Sequence, residues 1–185
     1  MAAQGLVAAA RILADEFTLV ATNVPYLGRG KQADALKEHC GRFHGDAKAD
    51  LATCFVERCI GFCADNGATA LVTPQNWLFL GAYKDFRKKL LRNVEWNIVA
   101  RLGEHAFESA QAAGAFVALV ELTSRRADDT HGFVGIDVGE ERAVADKELS
   151  LRTTSVSIYS QQQQLANPDS RVILAATTEH PLLSV

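Results

Sequence analysis

The tetrad Asn23-Val24-Pro25-Tyr26 follows directly on the run Phe17-Thr18-Leu19-Val20-Ala21-Thr22. This run of β-forming residues predicts a buried strand that ends at the tetrad. Because open parallel sheets bind ligands at the carboxyl ends of their strands, the tetrad is a candidate binding site. A strand that simply stops at Val-Pro explains the same residues, since prolines commonly end strands.

Each residue of the tetrad has a property that suits a planar ring carrying an amine. The amide of Asn23 offers both a donor and an acceptor. Pro25 excludes Val24 from the helical region, so the Val24 carbonyl is held in an extended turn. Tyr26 provides a flat ring for stacking. We therefore expect these four residues to bind such a ring.

Helix and strand signals alternate around the tetrad, which predicts an α/β fold. Helices are predicted at residues 6–16, 33–40, 47–64 and 81–92, and strands at 17–22, 68–73, 94–102 and 115–122. Asn66-Gly67 has the composition of a helix stop. The first two strands and the helix between them form one βαβ unit, which is expected to be right-handed and parallel. The strand at 115–122 is a candidate for antiparallel pairing with the strand before it.

The signal weakens after Thr123. Residues 139–146 predict a loop, and the run Gln161-Gln162-Gln163-Gln164 predicts a solvated turn ahead of a strand at 171–175. We therefore expect two regions: residues 1–122, and a less regular C-terminal extension at 123–185 that begins a target-recognition segment.

The composition is that of an ordinary globular protein. The chain has 185 residues, of which 48% are apolar and 22% charged, and a net charge of −3. Stand-alone nucleic-acid binders usually carry a basic surface, so the overall charge does not indicate one. The sequence lacks an apolar run of the length that spans a bilayer and a signal-peptide pattern at Met1–Gly5. We expect a cytoplasmic protein whose four cysteines are reduced.

Two groups of residues have competing interpretations. The predicted helix at 81–92 carries Lys84, Arg87 and Lys88, which suit phosphate contacts, although such runs usually form a solvated face. Several potential zinc ligands lie close in sequence: His39, Cys40, His44, Cys54, Cys59 and Cys63. They include no Cys-x-x-Cys pair, and the helical cysteines match a buried stripe, so no metal site is predicted. Trp77 is expected in the core.

Four blocks of the sequence together resemble a known family. They are Asn23–Tyr26, Asp50–Cys59, Thr73–Phe79 and Leu102–Phe107. Their order and spacing are similar to the second half of the catalytic domain of adenine-N6-specific DNA methyltransferases, in particular the large enzymes of fused restriction-modification and BREX-type phage-exclusion systems. The resemblance covers about residues 15–122, and residues 164–170 resemble the segment that follows that domain.

The resemblance implies a partial Rossmann-like methyltransferase sheet, double-stranded DNA as partner and S-adenosylmethionine as cofactor. By position, Asn23 and the carbonyl of Val24 would accept hydrogen bonds from the amine of a flipped adenine. Pro25 completes the motif, Tyr26 would stack on one face of the base, and Phe107 would pack against the other. The family usually has Pro where this chain has Val24.

The family binds its cofactor with a glycine-rich loop and an acidic residue upstream of the tetrad. Only 22 residues precede Asn23, and Gly28-x-Gly30 lies downstream of it. We therefore expect a fragment or split subunit that lacks the family's first strand, which should lie beside residues 17–22. The strand edge exposed in this way predicts either a partner chain or a homodimer. The alternatives are a catalytically silent interaction module and methylation of a protein glutamine.

Overall fold

The structure is a computed structural model that describes residues 2–108 and 114–174, with side chains from residue 4 onward. Its helices are α1 (Ala2–Ala14), α2 (Asp34–Phe43), α3 (Leu51–Ile60), α4 (Lys84–Asn93), α5 (Val144–Thr153) and α6 (Gln161–Ala166). Its strands are β1 (Phe17–Asn23), β2 (Cys63–Pro74), β3 (Glu95–Gly103), β4 (Val117–Thr123), β5 (Gly132–Asp137) and β6 (Ser157–Ser160). Short 3-10 turns occupy Arg29–Lys31, Gln75–Leu78, Gly81–Tyr83 and Pro168–Ser170.

The six strands form one mixed sheet in the order β1-β2-β4-β3-β5-β6. The pairs β1–β2 and β3–β5 are parallel, whereas β4 is antiparallel to both of its neighbours and β6 is antiparallel to β5. β1, β2, β3 and β5 therefore run in one direction and end at one edge of the sheet. This arrangement confirms the α/β prediction and the antiparallel β4, and it puts β1 at the side edge of the sheet.

Helix α3 begins at a well-defined cap. The carboxylate of Asp50 accepts a hydrogen bond from the backbone N–H of Ala52 at 2.8 Å, which satisfies a free donor of the first turn. The helix ends at Ile60, so Cys63 lies in β2 and not in the predicted helical stripe. Asn66 and Gly67 also belong to β2, and a Cβ at Gly67 would lie 2.7 Å from the Phe17 carbonyl oxygen, so β1 approaches closely here. The dipeptide marks an irregularity in a strand and does not end a helix.

Aromatic residues fill the core between the sheet and its helices. The ring centroid of Trp77 lies 5.6 Å from those of both Phe86 and Trp96, and Trp96 lies 6.0 Å from Phe133. We call this side of the sheet the helix-covered face; α3 and α4 pack on it, and Trp77 is in the core as predicted. The opposite side, the groove face, forms an open groove of about 340 Å³. Its lining includes Ala70, Val72, Ile98, Leu119, Ile136 and Leu151.

The region after Thr123 is more regular than the sequence predicts. β5 and β6 extend the sheet, and α5 replaces part of the predicted loop at 139–146. The glutamine run forms α6, in which Gln161 is 3% exposed and its amide nitrogen donates to the carbonyls of Leu91 and Val94. Residues 171–174 are not a strand, and the region boundary at 122/123 stays a prediction.

Across residues 2–108 and 114–174, no helix has the length and apolarity needed to cross a bilayer.

Candidate functional site

The tetrad lies at the carboxyl end of β1, where its backbone is fixed by the neighbouring strand. Asn23 is paired with Val72 of β2, and the Val24 N–H donates to the Val72 carbonyl at 3.2 Å. Val24 is 3% exposed, whereas Asn23 and Pro25 are exposed and Tyr26 is 36% exposed. The motif therefore has an anchored backbone and presents the side chains of Asn23 and Tyr26 to the surface.

The segment after the tetrad is held against the start of α3. The Leu27 N–H donates to the Asp50 carboxylate at 3.3 Å, and the Leu27 carbonyl accepts from the Leu51 N–H at 3.0 Å. The amide nitrogen of Gln32, a residue 3% exposed, donates to the same carbonyl at 3.0 Å. Asp50 thus caps α3 and positions the tetrad loop at once. Asp50 was not singled out from the sequence. An Asp directly before an apolar helical run is an N-cap signal that could have identified it.

Burial and the neighbouring carboxylate of Asp50 raise the pKa of Tyr26 to about 12. The same two causes raise the pKa of Tyr83, in the turn before α4. Both phenols are therefore uncharged near neutral pH. A neutral ring at the carboxyl edge of the sheet favours stacking on a planar, uncharged partner. The sequence identified Tyr26 for this role and gave no such role to Tyr83.

Phe107 lies after β3, in the connection that leads to β4. It is partly buried, and β3 ends at the same edge of the sheet as β1. Residues 109–113, the rest of this connection, lie outside the described residues. The structure thus brings Phe107 to the same edge as the tetrad, and its predicted contact with a bound base stays a prediction.

The basic residues of α4 separate into two groups. Lys84 and Lys88 are exposed, as phosphate contacts require. Arg87 is 0% exposed, and its guanidinium donates to four carbonyls, those of Trp77, Leu80, Asp169 and Ser170, at 2.7 to 3.2 Å. It cannot reach a phosphate, so its predicted role in DNA binding is corrected: Arg87 ties the segment after β2 to residues 169–170.

The cysteines belong to the core. All four are free and buried. Burial first, and then contact with Cys40, raises the pKa of Cys54 to about 12, and burial raises that of Cys59 to about 11. Thiols with such values are poor nucleophiles and poor metal ligands. Within the described ranges, no group of three His, Cys, Asp or Glu side chains is arranged to hold a metal.

The described residues before β1 lack the glycine-rich strand-to-helix turn of nucleotide-type cofactor sites. The segment described before β1 is α1, with no glycine-rich turn between a strand and a helix. Gly28 precedes the turn Arg29–Lys31, and Gly30 lies within it. This turn follows β1, and the next helix, α2, begins at Asp34. The predicted cofactor S-adenosylmethionine therefore has no identifiable binding loop in this part of the chain.

Comparison with known proteins identifies the family. Residues 7–107 match the model of the Eco57I restriction-modification methylase. The chain is similar to the adenine-specific methyltransferase PglX of Lacticaseibacillus casei (strain Zhang), with 30% identity over 134 residues, which is 71% of this chain and 11% of the relative. It is 37% identical over 97 residues to the adenine-specific methyltransferase BrxX of Escherichia coli O9:H4 (strain HS), covering 52% of this chain and 8% of that protein. The chain thus spans about a tenth of the length of these relatives.

Solved structures share the fold at low identity. A nuclease-deletion mutant of the Type ISP restriction-modification enzyme LlaGI, in complex with a DNA substrate mimic, superimposes with a TM-score of 0.62 at 14% identity, over 89% of this chain and 18% of the other. A modification subunit of a putative type I restriction enzyme from Vibrio vulnificus YJ016 gives 0.58 at 20% identity, over 79% and 34%. The predicted resemblance to adenine-specific methyltransferases is confirmed, and the chain belongs to the Eco57I restriction-modification methylase family.

Proposed function

We propose that this chain is the adenine-binding part of an S-adenosylmethionine-dependent adenine-N6 DNA methyltransferase. The observation that carries the proposal is the geometry of the tetrad. Val24 is buried and its N–H is bound to β2, while Asn23 and Tyr26 face outward at the carboxyl edge of the sheet. A preorganised backbone with exposed amide and aromatic groups suits a flipped base, which must be held by hydrogen bonds and stacking.

In this proposal the tetrad polarises the adenine amine. The side-chain oxygen of Asn23 and the backbone carbonyl of Val24 each accept one hydrogen of N6. Two acceptors favour a tetrahedral amine nitrogen, whose lone pair is no longer conjugated with the ring and is available for reaction. Tyr26 stacks on one face of the base and Phe107 on the other, and such stacking contributes about 1–3 kcal/mol per base.

The family implies S-adenosylmethionine as the methyl donor. Bound beside the adenine, the cofactor would supply an electrophilic methyl group to N6, and one N6 proton would pass to solvent. Within this chain, the contribution is confined to binding and orienting the base. Pro25 and the pairing of Val24 with β2 keep the accepting carbonyl in place.

Double-stranded DNA is the proposed partner. Lys84 opens α4 and Lys88 lies one turn further along it, both exposed. Lysines at these positions would contact phosphates near the extruded base, a sequence-independent contribution that depends on salt. LlaGI, whose solved structure contains a DNA substrate mimic, shares this fold. The shared fold supports DNA as the partner but does not support individual contacts.

The test is binding of a DNA duplex in which 2-aminopurine lies opposite an abasic site. The base is already unpaired, so no recognition sequence is needed, and its fluorescence reports the change in stacking when it leaves the duplex for the protein. We expect a saturable change in fluorescence on binding to the chain, and competition by a duplex with adenine at that position. Asn23→Ala should abolish the advantage of adenine over 2-aminopurine, which lacks the N6 amine.

Asn93→Ala is the matched control, because Asn93 ends α4 at the opposite edge of the sheet and donates to the Lys89 carbonyl. It should bind as the wild type does. Equal competition by adenine in wild type and Asn23→Ala would refute the assigned role of Asn23. Absence of any saturable fluorescence change with the wild type would refute base binding by this chain.

A second candidate function is a folded interaction module without activity. Its support is β1, which forms the side edge of the sheet and carries Leu19 at 59% exposure. Exposed apolar edge strands pair with other chains. Calorimetric titration of S-adenosylmethionine into the chain distinguishes the two functions. Saturable binding at micromolar concentration would favour the enzyme, and no binding at millimolar concentration together with a stable dimer by light scattering would favour the module.

A further inference from the structure

Lys147 of α5 is a buried cation whose partners are backbone carbonyls. The residue is 3% exposed. Its ammonium donates to the carbonyls of Leu102 at 2.6 Å and Val138 at 3.2 Å, and to that of Glu141. An ammonium has three donors, so these three acceptors satisfy it completely. The side chain thereby joins α5 to the carboxyl ends of both β3 and β5.

The Leu102 carbonyl is directly followed by the segment that leads to Phe107. Gly103 has a left-handed backbone, with φ of +67°, and packs against Gly139 so closely that a Cβ would lie 2.5 Å from the Gly139 carbonyl oxygen. The Val138 N–H donates to the Arg101 carbonyl at 2.9 Å, one residue before Leu102. The direction in which the chain leaves β3 is therefore set by contacts with residues 138–141, and Lys147 bonds to both sides of that junction.

Burial lowers the pKa of Lys147, although Glu141 and Asp137 oppose that effect. Removing the ammonium would leave the three carbonyls without this donor in a water-poor site, which costs more than an ordinary surface change. The other basic residue of α5, Arg152, cannot replace Lys147, because it is exposed and paired with Glu148.

We propose that Lys147 is a positioning residue for the adenine site: by holding the Leu102 carbonyl against residues 138–141, it fixes the start of the loop that brings Phe107 to the bound base. The inference rests on the proposed function, because Phe107 is assigned there to one face of the adenine. It adds a residue from α5, which lies outside the matched family segment of residues 7–107.

The first arm of the test measures the loop without any ligand. Lys147→Met keeps most of the apolar stem of the side chain and removes its donors, and Arg152→Met is the control on the same helix. Hydrogen–deuterium exchange of the Val138 and Glu141 amides, which donate to the Arg101 and Val138 carbonyls at this junction, should become about tenfold faster in Lys147→Met, as loss of a charged donor to buried carbonyls predicts. It should not change in Arg152→Met. Lys147→Gln keeps two donors and provides a second variant should Lys147→Met fail to fold.

The second arm asks whether the effect passes through Phe107. Binding of the duplex with unpaired 2-aminopurine should weaken about fivefold to tenfold in Phe107→Ala and in the Lys147 variant, the range expected for a lost stacking partner. The double variant should bind no more weakly than Phe107→Ala alone, because both changes remove the same contact. A general loss of stability would make the two effects add.

The outcomes are distinct. Unchanged exchange of the Val138 and Glu141 amides in both Lys147 variants would overturn the proposal, as would additive losses in the double variant. A wild type that causes no saturable change in the fluorescence of the base would refute the proposed function instead, and the exchange measurement would still decide whether Lys147 fixes the start of this loop.

Discussion

The two faces of the sheet differ in how they are packed. On the helix-covered face, α3 and α4 enclose Trp77, Trp96 and Phe86, each 0–1% exposed. The groove face leaves Ile98 at 36% exposure. Among the described residues, side chains of the sheet and Leu151 of α5 line the groove. Most of the apolar burial of this chain is thus on one face. We therefore expect the stability of the core to depend mainly on residues of the helix-covered face.

The largest effect is expected at Arg87, which ties distant segments together on the helix-covered face. Arg87→Met keeps an apolar stem but removes the donors to four carbonyls, including those of Trp77 and Ser170. We expect the free energy of unfolding to fall by about 3–5 kcal/mol, as for other buried charged groups that lose their partners. Urea denaturation measures this change.

Lys88→Met is the matched control, since Lys88 is the next residue of α4 and is exposed. Its change should stay within about 0.5 kcal/mol, as is usual at the surface. If both variants lost the same stability, the guanidinium contacts would contribute nothing beyond the helix itself.

Two leucines of β4 compare the faces directly. Leu122 is 0% exposed in the aromatic core, whereas Leu119 is partly buried and lines the groove. Leu122→Ala should cost about 2–5 kcal/mol, because it leaves a cavity in a packed core. Leu119→Ala should cost about 1 kcal/mol or less, since its methyl groups are already partly in water. Equal losses in thermal unfolding would show that the two faces are equally well packed.

The parts of the fold that the sequence predicts are those with a strong local pattern. β1 to β4 are apolar runs that end at Pro, Gly or polar residues, and the helix predicted at 47–64 carries an apolar stripe, although α3 begins only after the cap at Asp50. The tetrad was located in the same way, because a strand that ends in Asn-Val-Pro-Tyr already places it at the edge of a sheet. These features depend on residues close together in the chain.

The errors arise where distant residues decide the structure. Arg87 belongs to a basic run, and its burial depends on carbonyls 82 and 83 residues away. Gln161 is polar in a polar run, yet its amide nitrogen binds carbonyls at the end of α4 and before β3, 70 and 67 residues away. Lys147 lies near an acidic stretch that predicts a loop. Local pattern cannot show that a cation or an amide will be satisfied by backbone groups of other segments.

The smallest predicted effect concerns the contact that joins the two covering helices. Glu57 of α3 contacts Lys89 of α4 at 2.5 Å and His44 at 2.6 Å. Burial alone would raise the pKa of Glu57, but hydrogen bonds from Lys89 and His44 outweigh it and hold the pKa below its usual value of 4.5. The folded state therefore favours the carboxylate, so this contact stabilises the protein above about pH 4.5 and loses its effect as pH falls through the lowered pKa.

Glu57→Gln should reduce the free energy of unfolding by about 1 kcal/mol at pH 7, in the range for a partly exposed charged contact. The difference from wild type should shrink in urea denaturation as the pH is lowered below that of the unfolded carboxyl group. Glu148→Gln provides the control on α5, because Glu148 is 63% exposed and pairs only across one helical turn with Arg152. If Glu148→Gln lowered the free energy of unfolding as much as Glu57→Gln, the charged contacts of α5 would stabilise the protein as much as those on the helix-covered face. The contrast between the two faces would then not extend to their charged contacts.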